Sequence, residues 1–310
     1  MTTPVENNAG SKPLDARATL LRDFANLHVM HPQSSWAKEF TVVTLVVDWE
    51  RYALCLKSFS AKGFSATNTE FLVFENSQGN VADGYGWLRR VLGQSQGRYI
   101  IYCHDDIEVK DNYDDLINTL RHLDRHDANW MLAGNAGHRW KLFRKRRSGR
   151  TRYIMQNNHD LDFSGSLPER VESLDENFLV IRRELCPLGS IDLNGFHFYG
   201  SDLCLMAEIM GGRSYVIPFA VYHKSHGTYD DVFHTSKHNL YRKFSKFFPF
   251  RTHITTTTKI WFGVLGVFRH MLRPTPSVWN EPRVPITHPN PYGRMRNWHQ
   301  LAERVGKRQS

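Results

Sequence analysis

The chain has 310 residues, 41% of them hydrophobic, and a formal net charge of +9 with a pI near 9.4. That length and apolar content exclude a chain too small or too polar to bury a sizeable core, and fit one large domain with or without appendages. The basic balance points to an acidic partner: a nucleic acid, an anionic membrane surface or a phosphorylated substrate.

The four cysteines, Cys55, Cys103, Cys186 and Cys204, form no C-x-x-C pair and three sit in apolar runs. They read as reduced core thiols of a cytosolic protein rather than disulfides or a zinc site. The opening residues lack a basic segment followed by an apolar one, so no secretory leader is expected. The longest apolar run, Ile260–Phe268, is far shorter than the ~20 residues that span a bilayer.

Residues 1–38 read as a polar lead-in. "TVVTLVV" (Thr41–Val47) is apolar and β-branched without alternation, as in a strand covered on both faces. A helix follows, with Ala53, Leu56 and Ser60 on one repeat and Gly63 as its stop. "FLVFE" (Phe71–Glu75) and "YIIYC" (Tyr99–Cys103) are the next strands, with "GWLRRVLG" as a helix between them. "NYDDLINTLRHLD" sets Leu116, Ile117, Leu120 and Leu123 on one helical face.

The run Lys141–Arg152 is dense in Lys and Arg. It reads as a solvated loop, with contact to a phosphate or an anionic lipid as the minor alternative. "ENFLVIRREL" resumes a strand. "GFHFYGSDLCLMAEIMGG" reads as a loop and a helix, with Ser201 as N-cap and Gly211-Gly212 as the stop. "SYVIPFAVYHKSHG" reads as one last strand ending in two histidines. The alternation argues for an α/β domain with a mostly parallel sheet, whose ligands bind beyond the carboxyl ends of the strands.

Three clusters could carry chemistry. His104, Asp105 and Asp106 stand where the third strand ends, and two carboxylates with an imidazole can hold Mg²⁺ or Mn²⁺. The plain alternative is that one of the aspartates caps a turn. Asp202 opens an apolar helix. It either favours the positive helix end or, kept ionised there, serves as a general base at the mouth of the sheet. His223 and His226 follow the last strand and could complete a metal sphere begun by Asp106. Gly84 and Gly86 offer only a weak dinucleotide loop, because Arg89 stands where a third glycine belongs.

Taken in order, "TVVTLVVDWERYALCLKSF", "FLVFENSQGN", "GRYIIYCHDDIEV", "ESLDENFLVIRREL", "GFHFYGSDLCLMAEIMG" and "AVYHKSHGT" resemble the nucleotide-sugar-dependent glycosyltransferases of the GT-A fold, especially family 2-like bacterial members. The resemblance covers roughly residues 40–228. It implies a Rossmann-like central sheet with helices on both faces over residues 39–235, and a helical or irregular aromatic and basic extension over 236–310.

The resemblance implies that Val46, Val47, Asp48 and Glu50 embrace the nucleotide, that Glu75 binds the base, and that Arg89 and Asp105 add contacts. UDP is the first expectation. The family's Asp-x-Asp metal motif falls on His104-Asp105-Asp106, so Asp106 is the expected ligand of Mn²⁺ or Mg²⁺. His104 replaces the first Asp, and His223 is the late histidine. Asp175 and Glu176, with His226 second to His223, fall at the donor and acceptor pocket. Asp202 falls at the catalytic base. The implied reaction moves a sugar from a nucleoside diphosphate to a hydroxyl of a glycan or lipid-linked acceptor with inversion. Lys224, Arg242 or Lys243 would assist the leaving diphosphate.

Two rival readings use the same residues differently. A metal-dependent phosphoesterase would employ His104, Asp105, Asp106, His223 and His226. A basic nucleic-acid-binding protein would employ the 141–152 run and the tail, but leaves the acidic cluster unexplained, so nucleic acid is not the expected partner. A dinucleotide oxidoreductase ranks last. "FSKFFPF" and "IWFGVLGVF", flanked by cations, suggest peripheral contact with the inner face of a membrane from the cytoplasm, or equally the packing of these aromatics on the catalytic domain.

Overall fold

The computed structural model describes residues 22–23, 25, 35–138, 150–152, 154–155, 167–224 and 230–264. It divides into two compact units, Met1–Trp36 and Ala37–Ser310. In the first, Arg22 Nε pairs with Asp23 Oδ1 at 2.8 Å. The second holds everything that follows.

Its elements run β1 (Lys38–Val46), α1 (Trp49–Ala61), β2 (Thr69–Glu75), α2 (Trp87–Val91), β3 (Gly97–Cys103), β4 (Ile107–Val109), α3 (Tyr113–His126), β5 (Trp130–Gly134), β6 (Ala136–His138), β7 (Arg150–Arg152) and β8 (Ile154–Met155). They continue β9 (Glu169–Val171), β10 (Ser173–Leu174), β11 (Phe178–Arg182), α4 (Tyr199–Ile209), β12 (Arg213–Val216), β13 (Val221–His223), α5 (Asp231–Phe244), β14 (Phe250–Ile254) and β15 (Lys259–Gly263).

Seven strands form the central sheet in the order β2-β1-β3-β11-β5-β12-β9. β1 pairs parallel with β2 and β3, and β5 parallel with β12, while β11 and β9 run against their neighbours. The sheet is therefore mostly parallel, as the non-alternating apolar strands require.

Burial on both faces explains those strands. Along β1, Phe40, Val42 and Val46 enter one core cluster while Val43 and Leu45 enter the other. β3 splits in the same way, Tyr99, Ile101 and Cys103 against Ile100 and Tyr102. The first face is covered by α1 (Tyr52, Cys55, Phe59) and by the Leu116–Ile117–Leu120–Leu123 stripe of α3. The second is covered by α2 and α4, and by Leu240 and Phe244 of α5 with Ile260 and Phe262 of the β14–β15 hairpin. β1 and β3 approach so closely at Gly97 that a Cβ there would lie 2.3 Å from the Thr41 amide nitrogen.

Two local expectations change. Phe198, at φ 65°, is the residue before α4, so Ser201 lies inside the first turn rather than at the N-cap. The last strand is two strands: β12 stays in the central sheet, whereas β13 pairs with β4 and β8 in a separate small sheet. Pro218, with no N–H to give a ladder, falls in the break between them. That break lets His223 leave the main sheet and lie beside the end of β3.

Tail aromatics divide between core and surface. Phe244 and Phe262 are fully buried, while Phe247 and Phe250 are 55% and 73% exposed. No helix among the described residues is long and apolar enough to cross a membrane.

Candidate active site

β2, β1 and β3 end side by side, and their carboxyl ends carry the residues singled out from the sequence. Asp48 caps α1, its Oδ1 accepting from the backbone of Glu50 at 2.9 Å and Arg51 at 3.1 Å. Glu50 is exposed on the first turn, and Val46 is buried, its carbonyl accepting from Asn76 at 2.8 Å. Glu75 accepts from Trp49 Nε1 at 2.8 Å and from Ser77, whose hydroxyl holds that carboxyl below the usual range. The indole of Trp49, half exposed, thus stands over the end of β2.

The adjacent aspartates after β3 separate by direction. Asp105 Oδ2 accepts from the backbone N–H groups of Val47 (2.8 Å) and Asp48 (3.0 Å), with Arg51 3.8 Å away. It ties the β1–α1 loop to the end of β3, so Oδ2 of the expected nucleotide contact is engaged within the chain.

Asp106, 3% exposed, turns the other way. Its Oδ1 lies 3.4 Å from His223 Nε2, which lies 3.3 Å from His104 Nδ1. The antiparallel β4–β13 pair delivers His223 here, in register with Ile107. Ligand atoms of His104, Asp106 and His223 all lie within 4.8 Å of one another, the single such group among the described residues.

The tautomer of His104 follows from its neighbour. Tyr199 Oη donates to the carbonyl of Glu176 at 3.1 Å, and a carbonyl can only accept. With its one proton spent there, Tyr199 accepts from His104 Nε2 at 2.9 Å. The lone pair of His104 therefore sits on Nδ1 and faces His223 and Asp106. Burial, then His223, pushes the His104 imidazole down to about 4, so it is neutral near pH 7. A neutral imidazole beside a carboxylate and a second imidazole is a donor set that a divalent cation fits.

Asp175 and Glu176 line the same region. Asp175 accepts from Thr256 Oγ1 at 2.7 Å and from the Asn177 backbone at 3.2 Å. Glu176 Oε1 accepts from the Gly200 N–H at the start of α4 at 3.1 Å. Burial, then Asp175, pushes the partly buried Glu176 carboxyl well above the usual range. Asn177 is fully buried opposite His104, and its carbonyl accepts the His104 backbone N–H at 3.1 Å.

Two expected site residues are engaged elsewhere. Asp202 is fully buried rather than at the mouth of the sheet. Its Oδ2 accepts from Ser190 N at 2.7 Å, and its Oδ1 accepts from the Ser190 hydroxyl. Burial pushes its carboxyl up to about 6 against these donors, contrary to the expectation that the helix end keeps it ionised. Arg89 donates to the carbonyl of Gly189 and reaches that of Ser190 at 3.5 Å, so it grips the same segment rather than standing free for a nucleotide. Lys224 pairs with Glu108 at 2.8 Å and Lys243 with Asp192. His226 and residues 141–149 of the basic run lie outside the described residues.

Sequence reasoning missed Tyr199, Ser190 and Trp49. Tyr199 and Ser190 bear no motif, and only the fold brings Tyr199 to His104 across 95 positions. Trp49 was legible as an aromatic beside the first strand end, but nothing marked its bond to Glu75.

No family model matches the chain. The protein "ATP synthase subunits region ORF 6" of Fuscovulum blasticum is 38% identical over 225 residues, covering 72% of this chain and 90% of that one. The chain belongs to the ORF 6 family. Solved structures similar to this ORF 6-family protein include GalNAc-T7 with UDP, GalNAc and Mn²⁺, at 12% identity and a TM-score of 0.40 over 62% of this chain. Staphylococcus aureus TarS 1–349 in complex with UDP-GlcNAc matches at 12% identity and a TM-score of 0.40 over 67%. The ORF 6-family chain spans 45% of the former and 65% of the latter.

Proposed function

We propose that this ORF 6-family protein is a metal-dependent glycosyltransferase. It would move a sugar from a nucleoside diphosphate, UDP by first expectation, to a hydroxyl of a glycan or lipid-linked acceptor with inversion. The observation that carries the reading is the His104–Asp106–His223 group at the carboxyl ends of a mostly parallel sheet, where such sheets bind ligands. Beside it the Asp105-tied β1–α1 loop and the Trp49–Glu75 pair form a wall suited to a nucleoside.

His104 Nδ1, Asp106 and His223 Nε2 would hold the cation. Bound there, a divalent ion offsets the negative charge that gathers on the departing diphosphate. Glu75 and Trp49 would bind the base, and Asp175 the donor sugar. Glu176 takes the proton from the acceptor hydroxyl as that oxygen attacks the anomeric carbon. Half-buried and joined to His104 through Tyr199, Glu176 is better placed for that step than Asp202, which is fully buried with both oxygens accepting from Ser190. Exposed Phe247 and Phe250, near Lys246, would meet a membrane that carries lipid-linked acceptors on its cytoplasmic face.

The test pairs donor with acceptor. Purified protein with Mn²⁺ should be stabilised by UDP in thermal melts and should release UDP from UDP-sugars faster when an acceptor hydroxyl is supplied. No stabilisation by any nucleoside diphosphate removes the reading. Release of inorganic phosphate from simple esters without an acceptor would instead favour the phosphoesterase, which uses the same triad.

A further inference from the structure

We propose that the His104–Asp106–His223 site selects a dication that takes imidazole nitrogen, of the Mn²⁺, Co²⁺ and Zn²⁺ kind, and discriminates against Mg²⁺ and Ca²⁺. Tyr199 is its positioning residue. This rests on the metal-binding reading above and goes beyond it in naming the class of ion and the residue that sets the site.

The donor set decides the class. One carboxylate oxygen and two ring nitrogens converge here, with Asp106 Oδ1 3.4 Å and His104 Nδ1 3.3 Å from His223 Nε2. Mg²⁺ and Ca²⁺ are hard ions served by oxygen, and Mg²⁺ gives up its waters reluctantly. Imidazole suits the later first-row ions, whose affinity for a given site rises from Mn²⁺ towards Cu²⁺. Of the other carboxylates nearby, Asp105 Oδ2 accepts from the Val47 and Asp48 amides, Asp175 Oδ2 from Thr256 Oγ1 and Glu176 Oε1 from the Gly200 N–H, so none of these atoms is a second hard oxygen for the site. Replacing the first acid of an Asp-x-Asp pattern by His104 thus changes the chemistry of the site rather than merely weakening it.

Tyr199 makes His104 a ligand through the correct nitrogen. Its hydroxyl donates to the Glu176 carbonyl and accepts from His104 Nε2, which leaves the Nδ1 lone pair turned towards the other donors. The opposite tautomer would aim an N–H at the place of the cation. The phenol itself is fixed from three sides. Tyr102 and Tyr85 meet its ring edge-on at centroid distances of 5.3 and 6.3 Å. A Cβ on Gly84 would come within 2.2 Å of Tyr199 Cδ1. Outer partners that orient a ligating imidazole typically change metal affinity by about 10–100-fold.

Titration calorimetry of the full chain with Mn²⁺, Co²⁺, Zn²⁺, Mg²⁺ and Ca²⁺ tests this without any turnover. Wild type should bind Co²⁺ and Zn²⁺ more tightly than Mn²⁺, and all three at least about tenfold more tightly than Mg²⁺ or Ca²⁺. His104→Asp should narrow the gap between Mg²⁺ and Co²⁺. Tyr199→Phe should weaken Co²⁺ by about 10–100-fold in a chain that still folds, its metal-free melting temperature lowered because the Glu176 carbonyl and the His104 N–H lose their partner. If Tyr199→Phe does not fold, Gly84→Ala displaces the same ring and should show the same loss. Mg²⁺ binding as tight as Co²⁺ overturns the selectivity. Unchanged Co²⁺ affinity in Tyr199→Phe, or in Gly84→Ala where the first does not fold, overturns the positioning role. Co²⁺ binding that survives both Asp106→Asn and His223→Ala overturns the site itself, and with it the reading beneath.

Discussion

Asp202→Asn should stabilise the protein at neutral pH. Asp202 is fully buried, and burial lifts its carboxyl from an ordinary 3.8 to about 6. A raised acid prefers to be protonated in the folded state, so below pH 3.8 it carries no penalty. As pH climbs from 3.8 through about 6 the folded chain must give up a proton it holds better than the unfolded chain does, and stability falls. The difference is worth about 3 kcal/mol above pH 6. Asparagine copies the protonated form: its oxygen accepts the Ser190 N–H and its amide donates to the Ser190 hydroxyl, which can rotate. Urea unfolding at pH 8 should therefore show a variant more stable by up to about 3 kcal/mol, a midpoint shift of about 1 M. The gain should shrink steadily towards pH 4. A variant less stable than wild type at pH 8 refutes the reasoning, since it would mean that the charged form is preferred in place. The same variant should keep its metal affinity and much of its transfer activity. Loss of transfer in a stabilised, metal-binding Asp202→Asn would return the role of base to Asp202.

Glu176→Gln should lower kcat by at least about 100-fold while nucleotide and metal affinities hold, measured by UDP release and calorimetry. Asp105→Ala removes the acceptor of two loop amides and should cost about 2–3 kcal/mol in chemical denaturation, together with nucleotide affinity. His253 is fully buried against Phe262 with neither ring nitrogen bonded among the described residues. Burial, then Arg251 and His138, pushes it down to about 3. Folding must exclude its proton, so the penalty grows as pH drops below 6.5 and reaches about 2 kcal/mol at pH 5. His253→Phe should recover that amount at pH 5 beyond any gain at pH 8, read from urea midpoints. Replacing Phe247 and Phe250 by Asp should abolish sedimentation with anionic liposomes; equal binding by the variant removes these two residues as the membrane contact.

Local pattern made most of the frame legible. The unbroken apolar run of β1 announced a strand covered on both faces, "YIIYC" announced β3, and both core clusters draw on the two strands. The Leu116–Ile117–Leu120–Leu123 stripe announced the buried face of α3. What stayed hidden depended on distant partners. Nothing beside Asp202 in the chain reports that Ser190 will cover it, and a residue at a helix start looks exposed until the loop before it folds back. The run through Pro218 reads as one strand, and only the pairing of β13 with β4 reveals the arm that carries His223.

The crowding of His104, Asp105 and Asp106 at one strand end has a resolution in that geometry. Two adjacent carboxylates, both nearly buried, would repel if they shared a space, but in the turn between β3 and β4 they meet separate partners. Asp105 is compensated by two backbone amides and the more distant Arg51, all from the chain itself. Asp106 faces two imidazoles, one of them neutral and held by Tyr199 with its lone pair inward. Asp105 thus needs nothing from outside and serves the fold. Around Asp106 a carboxylate oxygen and an inward lone pair converge on one place, and such a group gains by binding a dication. The two neighbours in sequence therefore have separate fates under mutation: Asp105→Ala should be read in the stability of the metal-free protein, and Asp106→Asn in metal affinity with stability nearly unchanged.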